Sequence, residues 1–156
     1  MSPYRLTITG QTPSKKRGMQ IVYRNACSAC RKSPNKCICH RPSAIIKVPS
    51  MIPNKDYLKW IKGAVSQLTR QRILLGIEAP LAGPLHVITM IYRHTLRRAD
   101  KGNLEQTIHD ALQEAGVIND DFLIENTDGS RRILGVKKEE ARAEIIIKRH
   151  IEPLEI

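Results

Sequence analysis

Apolar residues recur along this chain at two spacings, and the alternation between them predicts the order of elements. Tyr4, Leu6 and Ile8 alternate with polar neighbours as a short strand does. The stretch from Gly10 to Gly18 (GQTPSKKRG) is polar and reads as a loop. A cysteine-containing segment follows, and a Pro-bounded connector is expected to run from it to Pro53. From Asn54, a good N-cap, the residues Tyr57, Trp60, Ile61, Ala64, Val65 and Leu68 fall at helical spacing, with Lys55, Lys59, Lys62 and Arg70 among the polar positions. Gly76 to Pro84 ends that helix, and Leu85 to Tyr92 is apolar on both faces, as a central strand is. Leu104, Ile108, Ala111, Leu112 and Ala115 make one stripe, which predicts a helix over 103–115 ended by Gly116. The tail adds a strand at 123–125 running towards Arg131, Arg132 and Ile133 past a turn at Asp128 to Ser130, and a β-branched strand at 143–148. The order predicts an α+β fold: a small mixed or antiparallel sheet with two main helices.

Composition narrows this picture. At 156 residues and 17.7 kDa the chain supports one domain, residues 1–156. Aromatics are only 4%, so the core must be aliphatic. No apolar run is long enough to span a membrane and the start lacks a signal-peptide layout, so a soluble cytoplasmic protein is expected. The net charge of +11 is uneven. Residues 1–80 hold 15 Lys and Arg against Asp56 and Glu78, a net +13, while residues 81–156 hold 11 against 13 acids. An excess of that size on one half of a small chain points to a polyanion, most simply nucleic acid.

The cysteines form a second constellation. Cys27 and Cys30 make a CxxC, and Cys37 and Cys39 a CxC, with Pro34 and Asn35 between the pairs. Two thiolate pairs across a short turn suit a tetrahedral Zn2+ with a closed, structural ligand set. His40 is an alternative ligand to Cys37 or Cys39. Residues 24–42 then read as an inserted zinc-binding segment that presents Arg24, Arg31, Lys32, Lys36 and Arg41.

The acids gather in RRADKGNLEQTIHDALQEAGVINDD, from Arg97 to Asp121. Asn103 and Asp110 share a helix face, Asp100 precedes the helix, and Asp120 and Asp121 follow its Gly-terminated end. Carboxylates brought together in a basic protein repel unless bridged, and Mg2+ is the usual bridge. The plainer reading is a solvated helix face with capping acids.

These residues resemble the RusA-like family of Holliday junction resolvases. TPSKKRGM at 12–19 is similar to the family's early Pro-Ser-basic loop, and the 97–121 stretch resembles its arginine-rich run, DxDN motif, DAL-containing helix and closing VxxDD. The likeness covers most of the chain outside the cysteine segment. It implies that Asp100 and Asp121 are catalytic, metal-binding aspartates, with Asp110 and Asp120 as further acids of the site. It also implies that Ser14, Lys15, Lys16, Arg17, Arg97, Arg98, Lys101 and Asn103 contact DNA. Two positions depart from the family: Gly102 replaces the second motif aspartate, and Gln106 stands where lysine is common. Glu105 is the preferred substitute ligand for the lost carboxylate.

The function implied is a Mg2+-dependent (or Mn2+-dependent) endodeoxyribonuclease of recombination and repair. A cation at Asp100 and Asp121 would activate water for in-line attack on a phosphodiester. The resemblance further implies branched DNA as substrate, a C2 homodimer with paired sites, no membrane partner, and a bacterial or phage-infected cytoplasm. His94 and His109 read as incidental histidines. The competing expectation is a zinc-stabilised DNA-binding protein that cuts poorly or not at all.

Overall fold

The structure is a computed structural model that describes residues 2–14, 19–32 and 45–150. Its elements are β1 (Tyr4–Thr9), β2 (Met19–Cys27), β3 (Ile45–Pro53), α1 (Lys55–Leu74), β4 (Leu85–Arg93), α2 (Lys101–Glu114), β5 (Ile124–Asn126), β6 (Arg131–Leu134) and β7 (Arg142–Arg149). The fold is α+β, with two helices and a mixed sheet.

The main sheet runs β1-β7-β4-β5, and β6 also pairs with β4. The β1/β7 and β4/β7 pairs are antiparallel, whereas β5 and β6 lie parallel to β4. Alternation sets which residues face inward: Leu85, Val87, Thr89, Ile91 and Arg93 of β4 are buried while their neighbours are half-buried. Register then stacks Val87 beside Ile147 and Ile91 beside Ala143. Leu6 and Ile8 from β1, Ile61, Ala64 and Leu68 from α1, and Leu104, Ile108, Ala111 and Leu112 from α2 complete one contiguous aliphatic core. Helix α1 starts as the sequence predicts, with the Asn54 side chain accepting from Tyr57 N at 2.8 Å.

The edge strand β1 is protected by α1. Thr7 N donates to Gln71 Oε1 at 2.8 Å and Gln71 Nε2 donates back to Thr7 O at 2.6 Å, while Gln67 Oε1 accepts from Thr9 N at 2.8 Å. Two side-chain amides one helical turn apart thus do the work of a missing neighbouring strand.

The connector expected before Pro53 is instead strand. β2 and β3 form a two-stranded antiparallel ribbon, paired from Met19 with Pro53 to Cys27 with Ile45, and neither strand joins the main sheet. Pro49 and Pro53 concealed it from a reading by turn residues; both fit an edge strand, which has no second neighbour to donate to.

Candidate functional site: the aspartates at the two ends of α2

The approach to α2 is held by two arginines from the sheet. Arg93, buried at the end of β4, donates from Nη1 to Arg97 O at 3.2 Å, and Arg132 of β6 donates to Ala99 O. Two guanidinium groups thereby fix the backbone of 97–99 through charge-assisted bonds. Arg97 and Arg98 are left exposed on that segment. Asp100 follows as the N-cap of α2: its Oδ1 accepts from Gly102 N at 3.3 Å and its Oδ2 from Asn103 Nδ2 at 2.9 Å. Asn103 therefore orients Asp100 within one turn.

At the other end α2 closes in a Schellman arrangement. Gly116 adopts φ +65, Gly116 N donates to Gln113 O and Val117 N to Leu112 O, both at 2.9 Å. Arg72 of α1 donates from Nη1 to the carbonyls of Ala115 and Gly116 at 3.3 and 3.1 Å. Leu81 N donates to Val117 O at 2.8 Å, which ties the departing chain down. Asp120 then caps a short 3-10 turn, Asp121–Leu123, by accepting from Phe122 N at 2.9 Å. Asp121 is exposed and Phe122 beside it is 82% exposed.

The middle of α2 carries the other acids. Glu105 is buried at 8%, and its Oε1 lies 3.4 Å from both Thr89 Oγ1 and Lys101 Nζ. To serve as the metal ligand expected of it, Glu105 would have to leave both partners. Asp110 Oδ2 accepts from Tyr57 OH at 3.3 Å. Burial, then the Asp110 and Glu114 carboxylates, push the Tyr57 phenol up to about 12.

His109 differs from the incidental histidine expected. Its Nε2 is buried with no hydrogen-bond partner, and burial lowers its pKa against the opposing pull of Glu105, Asp121 and Asp110. Three acids thus act on one histidine, and Asp121 folds back into the field of mid-α2. A histidine at this helical position carried no sequence signal separating it from a surface one.

Among the described residues, no group of three or more His, Cys, Asp and Glu side chains converges on a point where a metal would sit. Asp100, at the start of α2, and Asp121, in the turn beyond its Gly116 end, are exposed oxygen donors. Each is the kind of donor that Mg2+ takes, which is held by one or two carboxylates together with substrate phosphate oxygens and water rather than by a complete protein cage. Lys101 is half-exposed and pairs with Glu105, while Ser14 is only 7% exposed.

Lys15, Lys16, Arg17, Cys37, Cys39 and His40 lie outside the described residues. For the zinc expectation, the first cysteine pair is described: Cys27 N donates to Lys32 O and Arg31 N donates to Cys27 O, both at 2.9 Å. Arg31 takes φ 58, the left-handed conformation that lets the chain fold tightly behind a CxxC. Cys27 is buried and Cys30 half-buried in that turn.

No protein-family model matches the chain, and no curated protein matches it either. No helix among the described residues is long and apolar enough to cross a membrane.

Proposed function

We propose that the chain is a metal-dependent endonuclease of branched DNA, a RusA-like junction resolvase carrying a zinc-binding insertion. The observation that carries this reading is the pair of exposed aspartates, Asp100 as the N-cap of α2 and Asp121 at the start of the 3-10 turn beyond its Gly116 end. Asp100 is oriented by Asn103 and anchored through Arg93 and Arg132, and Asp121 is positioned by the Gly116 turn and the Asp120 cap. A basic chain that holds acids this firmly has a use for them beyond solubility.

Asp100 and Asp121 would hold the Mg2+ or Mn2+ ion. When bound, the ion supplies an acidified water and neutralises charge on phosphate oxygens. Arg97, Arg98 and Lys101 precede or begin α2 and would hold the DNA backbone against the site, with Lys15, Lys16 and Arg17 contributing from the early loop. Asp110 is committed to Tyr57, so its role is to support the helix face. Two strands cut symmetrically require two sites, which a C2 homodimer provides. Cys27 and Cys30, with Cys37 and Cys39, would hold a structural Zn2+, consistent with the tight Cys27–Lys32 turn.

A specific observation favours the alternative of a binder that does not cut: Asp100 and Asp120 both serve as ordinary caps. The deciding experiment is cleavage of a labelled four-way junction beside a linear duplex, with Mg2+, Mn2+ or EDTA, by wild type and Asp121→Asn. Paired symmetric nicks that need metal and vanish in the variant support the resolvase. Tight junction binding without cutting under any metal supports the binder.

A further inference from the structure

Among the described residues, one face of the β2–β3 ribbon has no partner. Strand alternation and the Ile21–Met51, Tyr23–Pro49, Asn25–Lys47 and Cys27–Ile45 pairings put Ile21, Tyr23, Ile45, Pro49 and Met51 on the same side. Four of them are large and wide open: Ile21 at 64%, Tyr23 at 68%, Ile45 at 65% and Met51 at 62% exposed. Together they expose on the order of 500 Å2 of apolar surface, the size at which a patch on a small protein marks a contact. Asn25 and Lys47 lie on the same face and are also exposed. The opposite face differs: Val22, Ile46, Val48 and Ile52 are half-buried and Ala26 is buried.

Charge says what covers the open face. The ribbon belongs to a 55-residue stretch without a single acid, since Asp56 is the first Asp or Glu in the chain, and that stretch holds eleven Lys and Arg. Arg24, Arg31, Lys32 and Lys47 are exposed on the ribbon and its turn. Two copies stacked face to face would bring these cations together with no acid on either ribbon to offset them, whereas a polyanion neutralises them. An apolar face set in a cationic ribbon also matches what bases need. Isoleucine, methionine and proline act as wedges between base steps, and an exposed tyrosine is a stacking platform. Ile21 and Tyr23 stand about 7 Å apart along one strand, twice the rise of a stacked base.

We propose that this face of the ribbon seats unstacked bases of nucleic acid, with Tyr23 as the stacking residue, Ile21 and Met51 as the wedge, and Lys47 on the same face holding a flanking phosphate. The choice of branched DNA as the ligand rests on the nuclease reading, because the crossing point of a junction is where bases most readily leave the stack.

The experiment measures binding without cutting. A four-way junction with 2-aminopurine at the crossing, and a duplex of the same arms, are titrated in EDTA with wild type, Tyr23→Ala, Tyr23→Phe and Ile21→Ser/Met51→Ser. Tyr23→Ala and the double variant should lower junction affinity by about tenfold, the usual loss when one stacked base is released. Duplex affinity should fall much less, the 2-aminopurine signal should disappear, and Tyr23→Phe should restore both. Junction affinity and fluorescence equal to wild type in all variants overturns the proposal. So does a sedimentation shift from dimer to monomer with junction preference intact, which assigns the face to a second copy. Cleavage is scored separately with Asp121→Asn. If wild type does not cut but Tyr23→Ala still loses the junction signal, the nuclease reading falls and the ribbon assignment stands.

Discussion

Asp100 is the N-cap of α2 and, in the function proposed above, a metal ligand; one pair of substitutions separates the two roles. As N-cap, it accepts from Gly102 N at 3.3 Å and from Asn103 Nδ2 at 2.9 Å on an exposed helix end. The first bond is long for N–H to O, so the cap belongs near the middle of the usual range, about 1 kcal/mol for replacement by alanine. For a chain of this size that lowers Tm by about 2–4 °C. Asparagine caps about as well as aspartate, so Asp100→Asn keeps the Gly102 contact and loses only the charge at the helix N-terminus, about 0.3–1 kcal/mol. The catalytic role separates differently, because either change removes a metal-binding carboxylate. Loss of several kcal/mol of transition-state stabilisation corresponds to a drop in cutting on the order of a thousandfold. Asp100→Asn should therefore be nearly as stable as wild type, bind junctions normally and fail to cut, while Asp100→Ala fails to cut and melts lower. Scanning calorimetry beside junction cleavage in Mg2+ gives both readings. Wild-type cutting by Asp100→Asn refutes the catalytic assignment, and equal melting of Asp100→Ala and wild type refutes the cap.

Other changes follow from the same geometry. Gln71→Ala leaves Thr7 N and O of the edge strand without partners, so urea unfolding should show a loss of about 2 kcal/mol. His109 is held neutral by burial to a lower pH than in the unfolded chain, where its value is 6.5. Its contribution to stability is thus complete above 6.5 and is lost as pH falls below it; the slope of denaturation midpoint between pH 5 and 7 should flatten in His109→Gln. Cys30→Ser should abolish zinc binding, read by a colorimetric metal-release assay, yet preserve the main melting transition, because Ala26 and Cys27 lie outside the aliphatic core. Gly102→Asp should be tolerated, since a Cβ there meets only Asp100 Oδ1 at 4.0 Å, and its two adjacent carboxylates should make Tm rise with added Mg2+ more than in wild type.

Much of the fold was legible because it rests on periodicity. The stripe from Leu104 to Ala115, the Asn54 cap and the β-branched run of β7 each have one physical solution, and the structure adopts it. The β2–β3 ribbon was not legible, for its alternation is interrupted by Pro49 and its outer face is apolar where a solvated strand is usually polar. At the candidate site, the placement of Asp100 just before α2 and of Asp121 after its Gly-terminated end could be read from local spacing. Their supports could not: Arg93, Arg132 and Arg72 act across 4 to 44 positions through backbone carbonyls, and a carbonyl acceptor leaves no trace in sequence. The inward turn of Glu105 depends likewise on Thr89, sixteen positions earlier on the buried face of β4.

If the chain is the nuclease proposed above, Gly102 changes where the demands on the site fall. A site with three carboxylates could hold its cation before substrate arrives. With two exposed aspartates, Asp100 and Asp121, the remaining coordination must come from water and from the phosphate to be cut, so cation and DNA bind together. Their joint binding then depends on how firmly the backbone is held, and the residues available for this are cations: Arg97, Arg98, Lys101 and the acid-free first 55 residues. Phosphate contacts of that kind weaken steeply as salt rises, because each releases a condensed counterion. On that proposal the density of positive charge and the glycine at 102 are two sides of one arrangement, in which affinity for the DNA backbone would substitute for affinity for the metal. Cutting by this chain should accordingly lose Mg2+ affinity as salt is raised, a coupling that a complete protein cage would not show.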